Sequence, residues 1–180
     1  MGEAELEQSE HGLVAKGDGW FVLNARDARW YHTTGRPAFC DLEGDQTFSQ
    51  LGINLNVLEP GQPLCRYHWE ADQEDFLVLS GEAVLLVEEE ERPLRQWDFV
   101  HCPPGAKHVI VGAGSRPSVI LAVGARVDSV DNPDWGGYPV SELAARYGAS
   151  VDRDTTVPEE AYAPLPKRQP AAYEDGWLGE

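Results

Sequence analysis

Tyr67–Gly81 reads YHWEADQEDFLVLSG, a histidine and a cluster of acids followed by an apolar run that stops at a glycine. Side chains alternate along an extended chain, so His68 and Glu70 share a face if Arg66–Glu70 is a strand. Glu74 rejoins that side after a small loop at Ala71–Gln73 and heads the next strand, DFLVLSG. The stretch is therefore a strand, a turn and a strand, with three candidate ligands on one side.

The same texture continues outward in both directions. LGINLNVL (51–58) alternates strictly, with Leu51, Ile53, Leu55 and Val57 on one face and Gly52, Asn54 and Asn56 on the other. EAVLLVEE, PLRQWDFVHC, KHVIVGAG and SVILAVGARV follow, each short, rich in β-branched or aromatic residues and bounded by Gly, Pro or charge. GWFVLN and RPAFCDL are weaker strands before them, and the EEEE at Glu88–Glu91 reads as a solvated hairpin turn without the usual glycine. Short strands with no helical period between them predict an all-β antiparallel barrel or sandwich over residues 19–127.

Residues 1–18 are acidic and lack aromatics, which predicts a disordered arm. Residues 128–180 form an extension, beginning with the loop DSVDNPDWGGYPV. Ser141 caps a short helix that Gly148 ends, and VPEEAY adds one more turn. Pro164, Pro166 and Pro170 exclude regular structure from the tail at 164–180, while Tyr173 and Trp177 are free to dock. This tail either covers its own barrel or reaches to a second subunit.

Composition narrows the partners. Fourteen basic against thirty-one acidic residues give a net charge of -17, which repels nucleic acid and anionic membrane surfaces. No apolar stretch is long enough to span a bilayer, and the acidic opening has no secretory-signal pattern, so a cytoplasmic location is expected. Cys40, Cys65 and Cys102 have no metal or disulfide spacing and read as reduced thiols. Arg66, Arg95 and Lys107 flank the histidine segments and read as surface residues before they read as substrate grips.

The second histidine lies in WDFVHCPPGAKHVIVG, a strand, a Pro-Pro-Gly turn and His108 at the start of the next strand. Two imidazoles and one or two carboxylates converging from rigid strands suit a divalent first-row metal. His68, Glu74 and His108 make a two-His-one-carboxylate face, to which Glu70 adds a fourth ligand.

These two segments resemble the paired motifs of the cupin superfamily. Glu74 is followed after six residues by Gly81, and Pro103-x-Gly105 after two residues by His108, as in that pattern. Glu70 stands where the second histidine of the first motif is expected, and Gly61 lies one residue too far from His68. Trp97 replaces the leading glycine of the second motif and Gly112 its asparagine. The resemblance covers roughly residues 51–125 and implies a cupin-like barrel (a double-stranded β-helix or jelly roll) with metal in its mouth. Zn, Fe, Mn and Ni all fit the HWE variant, in which Glu70 either ligates or acts as a base or support for His68. Two functions follow: a module binding a small organic ligand at the metal, or a metalloenzyme such as a non-haem iron dioxygenase, or a sugar or organic-acid isomerase or lyase. A homodimer paired through edge strands and terminal arms is expected.

Overall fold

In the computed structural model, which describes residues 2–128 and 132–179, the strand-forming segments become β1 (Glu5–Ser9), β2 (Gly12–Lys16), β3 (Trp30–Thr33), β4 (Arg36–Cys40), β5 (Leu51–Leu58), β6 (Trp69–Glu70) and β7 (Glu74–Ser80). They continue as β8 (Glu82–Val87), β9 (Glu90–Arg95), β10 (Phe99–Cys102), β11 (His108–Ala113), β12 (Ser118–Ala125), β13 (Gly136–Gly137) and, after two helices, β14 (Gln169–Ala171). The helices are α1 (Glu142–Arg146) and α2 (Pro158–Tyr162). A seven-stranded antiparallel sheet runs β10-β7-β12-β5-β4-β3-β14, with β11-β8-β9 as a second sheet and β13-β6 as a short ribbon.

The barrel interior is where the two large sheets meet. Leu58, Phe76, Val78 and Ile120 of the first sheet pack with Ala83, Leu85 and Ile110 of the second. The alternation in β5 serves two cores. Leu55 and Val57 bury on the outer face against Trp30 and Ala38, whereas Asn54 and Asn56 line a cavity inside the barrel with the metal-type residues. Asn56 Nδ2 donates to Asn54 Oδ1 at 2.5 Å, which supplies a partner for a polar group buried at 1% exposure.

Several expectations are corrected. Residues 1–18, expected as a disordered arm, carry the β1–β2 hairpin, in register from Glu5↔Lys16 to Ser9↔Gly12. Its backbone finds distant partners: Leu13 N donates to Asp27 O at 2.7 Å, and Arg29 N donates to Leu13 O at 3.1 Å. Gly12, at φ +120°, makes that contact feasible, because a Cβ there would stand 2.5 Å from Ala28 O. GWFVLN forms no strand beyond a single bridge from Trp20 to Glu3. PLRQWDFVHC is two strands, since a turn at Gln96–Asp98 separates β9 from β10. Trp97 sits in that turn at φ +75°, the left-handed conformation for which glycine is suited. The β8–β9 turn closes on Glu88 and Glu89, both at positive φ (46° and 66°) and without glycine, while Glu90 and Glu91 belong to β9.

The extension folds back onto its own barrel. Ser141 caps α1 as expected, accepting from Ala144 N at 3.0 Å, and its hydroxyl donates to Glu89 Oε2 at 3.0 Å. Gly148 follows at φ +68°. Part of the expected loop at 128–140 lies outside the described residues. The last dozen residues do form structure: β14 pairs with β3 in register Pro170↔Tyr31. An edge position tolerates Pro170, whose missing N–H removes no ladder bond on the open side. Beyond it Tyr173 and Trp177 pack on Trp30, at ring centroid separations of 6.0 and 5.1 Å. Arg66, expected at the surface, is buried and ties the extension down: Nε donates to Ala161 O, and one terminal nitrogen donates to Gly148 O and Ser150 O.

Candidate metal centre

His68 and His108 face each other directly across an antiparallel bridge. His68 N donates to His108 O at 3.1 Å and His108 N donates to His68 O at 2.8 Å. Opposed residues of a ladder point to the same face, and the two rings stand 4.9 Å apart. The Pro103–Gly105 turn holds this geometry, with Gly105 N donating to Glu70 O at 2.8 Å. Glu74, first residue of β7, enters from the other sheet, flanked by Cys102 and Gly124 as register partners.

Each imidazole is fixed at its far nitrogen. His68 Nδ1 lies 2.9 Å from Arg66 O, and His108 Nδ1 lies 3.0 Å from Ala106 O. A carbonyl only accepts, so both Nδ1 atoms carry hydrogen and both Nε2 atoms face inward. Cys65 Sγ stands 3.6 Å from His68 Nδ1 and lines the same cavity, so this cysteine is less withdrawn than the buried Cys40 and Cys102.

Glu74 Oε2 lies 3.2 Å from His68 Nε2 and 3.2 Å from His108 Nε2. Glu74 Oε2 and His108 Nε2 are nevertheless buried without a hydrogen-bond partner. The donor atoms of His68, Glu74 and His108 all lie within 4.8 Å of one another. Two ligands each about 2.1 Å from one ion stand about 3.0–3.4 Å apart, so the observed separations fit a shared cation. The orphaned atoms and the tautomers point the same way: these residues could hold a divalent metal.

Electrostatics reflect the same convergence. Burial works against a charged His68, yet Cys65, Glu70 and Glu74 together raise its pKa well above the ordinary value. Burial likewise opposes charge on His108, but Cys102 and Glu74 bring it up to about 9. Burial would raise the Glu74 carboxyl, and His108 and His68 instead hold it well below the usual carboxylate range. In the metal-free protein, protons on the inward nitrogens balance Glu74, and a divalent cation held by these atoms would compete with them.

Glu70 stands beside this set rather than within it, with Oε1 3.5 Å from His68 Nε2. The cavity above the site has a volume of about 320 Å³, and Asn54, Asn56, Tyr138 and Tyr162 contribute to its walls. Tyr138 stacks on His68 at 5.9 Å, and burial pushes its phenol pKa upward. Two wall residues had no signal in the sequence, Arg36 at the start of β4 and Arg168 just before β14. Only the docking of the tail on β3 brings them together. Arg95 is exposed on β9, and Lys107 pairs with Glu88 at 3.6 Å outside the cavity.

Residues 54–124 match the model of the Cupin domain family. This segment is a cupin domain. The cupin barrel resembles that of a predicted oxalate decarboxylase from Thermotoga maritima at 18% identity, covering 59% of this chain and 99% of the other, with a TM-score of 0.54. That likeness establishes the fold alone. A sugar phosphate isomerase of the cupin superfamily from Silicibacter pomeroyi is 30% identical, covering 58% of this chain and 63% of its own, with a TM-score of 0.46. The DMSP lyase DddQ from Ruegeria pomeroyi is 24% identical, with 54% and 56% covered and a TM-score of 0.45. No curated protein matches the chain.

Proposed function

We propose that this cupin binds a divalent first-row metal through His68, Glu74 and His108 and presents it to a small organic ligand in the barrel cavity. The carrying observation is the convergence of three donors, two of them offering buried atoms without hydrogen-bond partners, where His68 and Glu74 line a cavity of about 320 Å³. A nitrogen-rich set with one carboxylate suits Zn, Fe(II), Mn or Ni, and a three-residue face leaves coordination positions for ligand. A bound ion would act as a Lewis acid on a ligand oxygen. The chain's own residues would orient the ligand: Asn54 and Asn56 offer amide groups, and Tyr138 and Tyr162 offer ring faces.

Glu70 favours a second reading, a metalloenzyme of the dioxygenase, isomerase or lyase kind. Its carboxylate lies outside the three-donor set yet on the cavity wall, where it can accept a proton from bound substrate. Glu70→Gln separates its two roles. As a base it leaves metal content intact and abolishes turnover; as a fourth ligand its loss lowers metal occupancy, as Glu74→Gln does. Loss of the ion in Glu70→Gln but not in Glu74→Gln would overturn the ligand assignment. The working unit in either reading is a homodimer, supported by the open edges of the seven-stranded sheet at β10 and β14 and by exposed Phe99 on β10.

A further inference from the structure

Arg36 and Arg168 face the same cavity as the metal-type residues. The two arise far apart in sequence and both lie outside the matched cupin segment. Strand pairing joins them: β14 lies on β3, and β3 pairs β4 with Thr33 opposite Arg36. Each guanidinium rests on an aromatic face, Arg168 over Phe39 at 4.2 Å and Arg36 over Tyr162 at 5.1 Å. Such stacking occupies the plane of the group and leaves its N–H edges free to donate.

These edges lack anionic partners. Among the described residues neither arginine makes an ion pair, although the chain carries thirty-one acids against fourteen bases. Arg168 Nε is buried with no hydrogen-bond partner, and Arg36 makes a single long contact, donating to Pro166 O at 3.3 Å. Burial, and then the neighbouring Arg36 charge, pull the Arg168 pKa below its ordinary value. Two unpaired like charges in a half-buried cavity are costly unless an anion binds between them. Glu70 and Glu74 line the same cavity, yet neither pairs with Arg36 or Arg168: Glu74 and Glu70 lie 3.2 and 3.5 Å from His68 Nε2 instead.

We propose that Arg36 and Arg168 form an oxyanion subsite that grips the carboxylate or phosphate of the ligand. The subsite deepens the proposed function by assigning the ligand's class, a small anion, and it rests on that reading only for the ligand's approach to the metal. Capture of the anion needs the arginines alone. Planar guanidinium forks match both oxyanions in bidentate geometry, so the shared chemistry is a compact group of two or three oxygens.

The test is calorimetric titration of the full chain, stripped of metal by chelator and then freed of it, with inorganic phosphate and with malonate at constant ionic strength in chloride. Saturable binding of at least one anion is expected, and the tighter of the two identifies phosphate or carboxylate as the group recognised. Arg36→Gln and Arg168→Gln should each weaken binding by about tenfold or more, as expected for loss of a charge-assisted pair. Arg168→Lys, which keeps the charge and loses the fork, should fall between wild type and Arg168→Gln. Circular dichroism and metal uptake on the same variants verify that the barrel is intact. Absence of saturable binding of either anion, or equal binding by wild type and the double Gln variant, overturns the proposal. His108→Ala should lose metal and retain the anion. Arginine-dependent anion binding in a wild-type protein that takes up no metal would remove the metal reading and leave the subsite standing.

Discussion

Trp97 occupies φ +75° in a turn held by Trp97 N donating to Val78 O at 2.8 Å and by Asp98 Oδ2 accepting from Arg95 N at 2.9 Å. The left-handed conformation costs an L-residue about 1–2 kcal/mol, against about 0.5–1 kcal/mol for the larger unfolded-state entropy of glycine. The indole is 67% exposed and contributes little burial. Trp97→Gly should therefore raise stability by about 0.5–1 kcal/mol, read as a higher urea midpoint; a lower midpoint would show that the indole makes a contact worth more than the strain. At the candidate metal centre the relevant residue is His108. In the metal-free protein its pKa is raised to about 9, so the favourable charge pairing with Glu74 is fully present below the unfolded histidine value and is lost as pH rises through about 9. A metal competes with that proton. Zinc affinity should rise with pH from 7 to 9, with protons released on binding; a flat profile over that range would contradict the pairing of His108 with Glu74.

At the scale of elements, α1 is only Glu142–Arg146 and depends on its cap. Ser141→Ala removes the acceptor for Ala144 N and a donor to the exposed Glu89 carboxylate, which should cost about 1 kcal/mol in thermal or urea unfolding while metal content is unchanged. An unaltered midpoint would mean that packing of Leu143 and Ala144 holds the helix alone. The cap was legible in the sequence because it is local, as were β5, β7, β8, β11 and β12, whose alternation or β-branched runs are bounded by Gly and Pro. His68, Glu74 and His108 were legible because a strand, a turn and a strand fix their facing. What escaped has distant partners. The β1–β2 hairpin is stitched to Asp27 and Arg29, and β14 is a strand only because β3 offers an edge. Gly112 belongs here too. It departs from the cupin asparagine, and a Cβ at that position would stand 2.4 Å from Glu59 O, so the close approach of the Glu59–Gln62 turn excludes any side chain. Arg36 and Arg168 had no pattern to read, since the same tail docking creates their proximity.

Over the whole molecule, β3, β4 and β14 lie outside the family segment 54–124, extend its larger sheet and bring Arg36 and Arg168 to the cavity. Among the described residues, no helix is long and apolar enough to cross a membrane. The sheet's open edges at β10 and β14 lead us to expect a homodimer in sedimentation velocity, and a monomer at all concentrations would contradict that assembly. The function proposed for this molecule stands on His68, Glu74 and His108 holding one divalent ion. Elemental analysis of protein purified without chelators, and then exposed in turn to Zn, Fe(II), Mn and Ni, measures that ion. About one divalent ion per chain is expected in wild type, and His108→Ala should lose it. A wild-type protein that retains no ion after exposure to all four, or a His108→Ala variant that keeps full occupancy, would contradict that assignment.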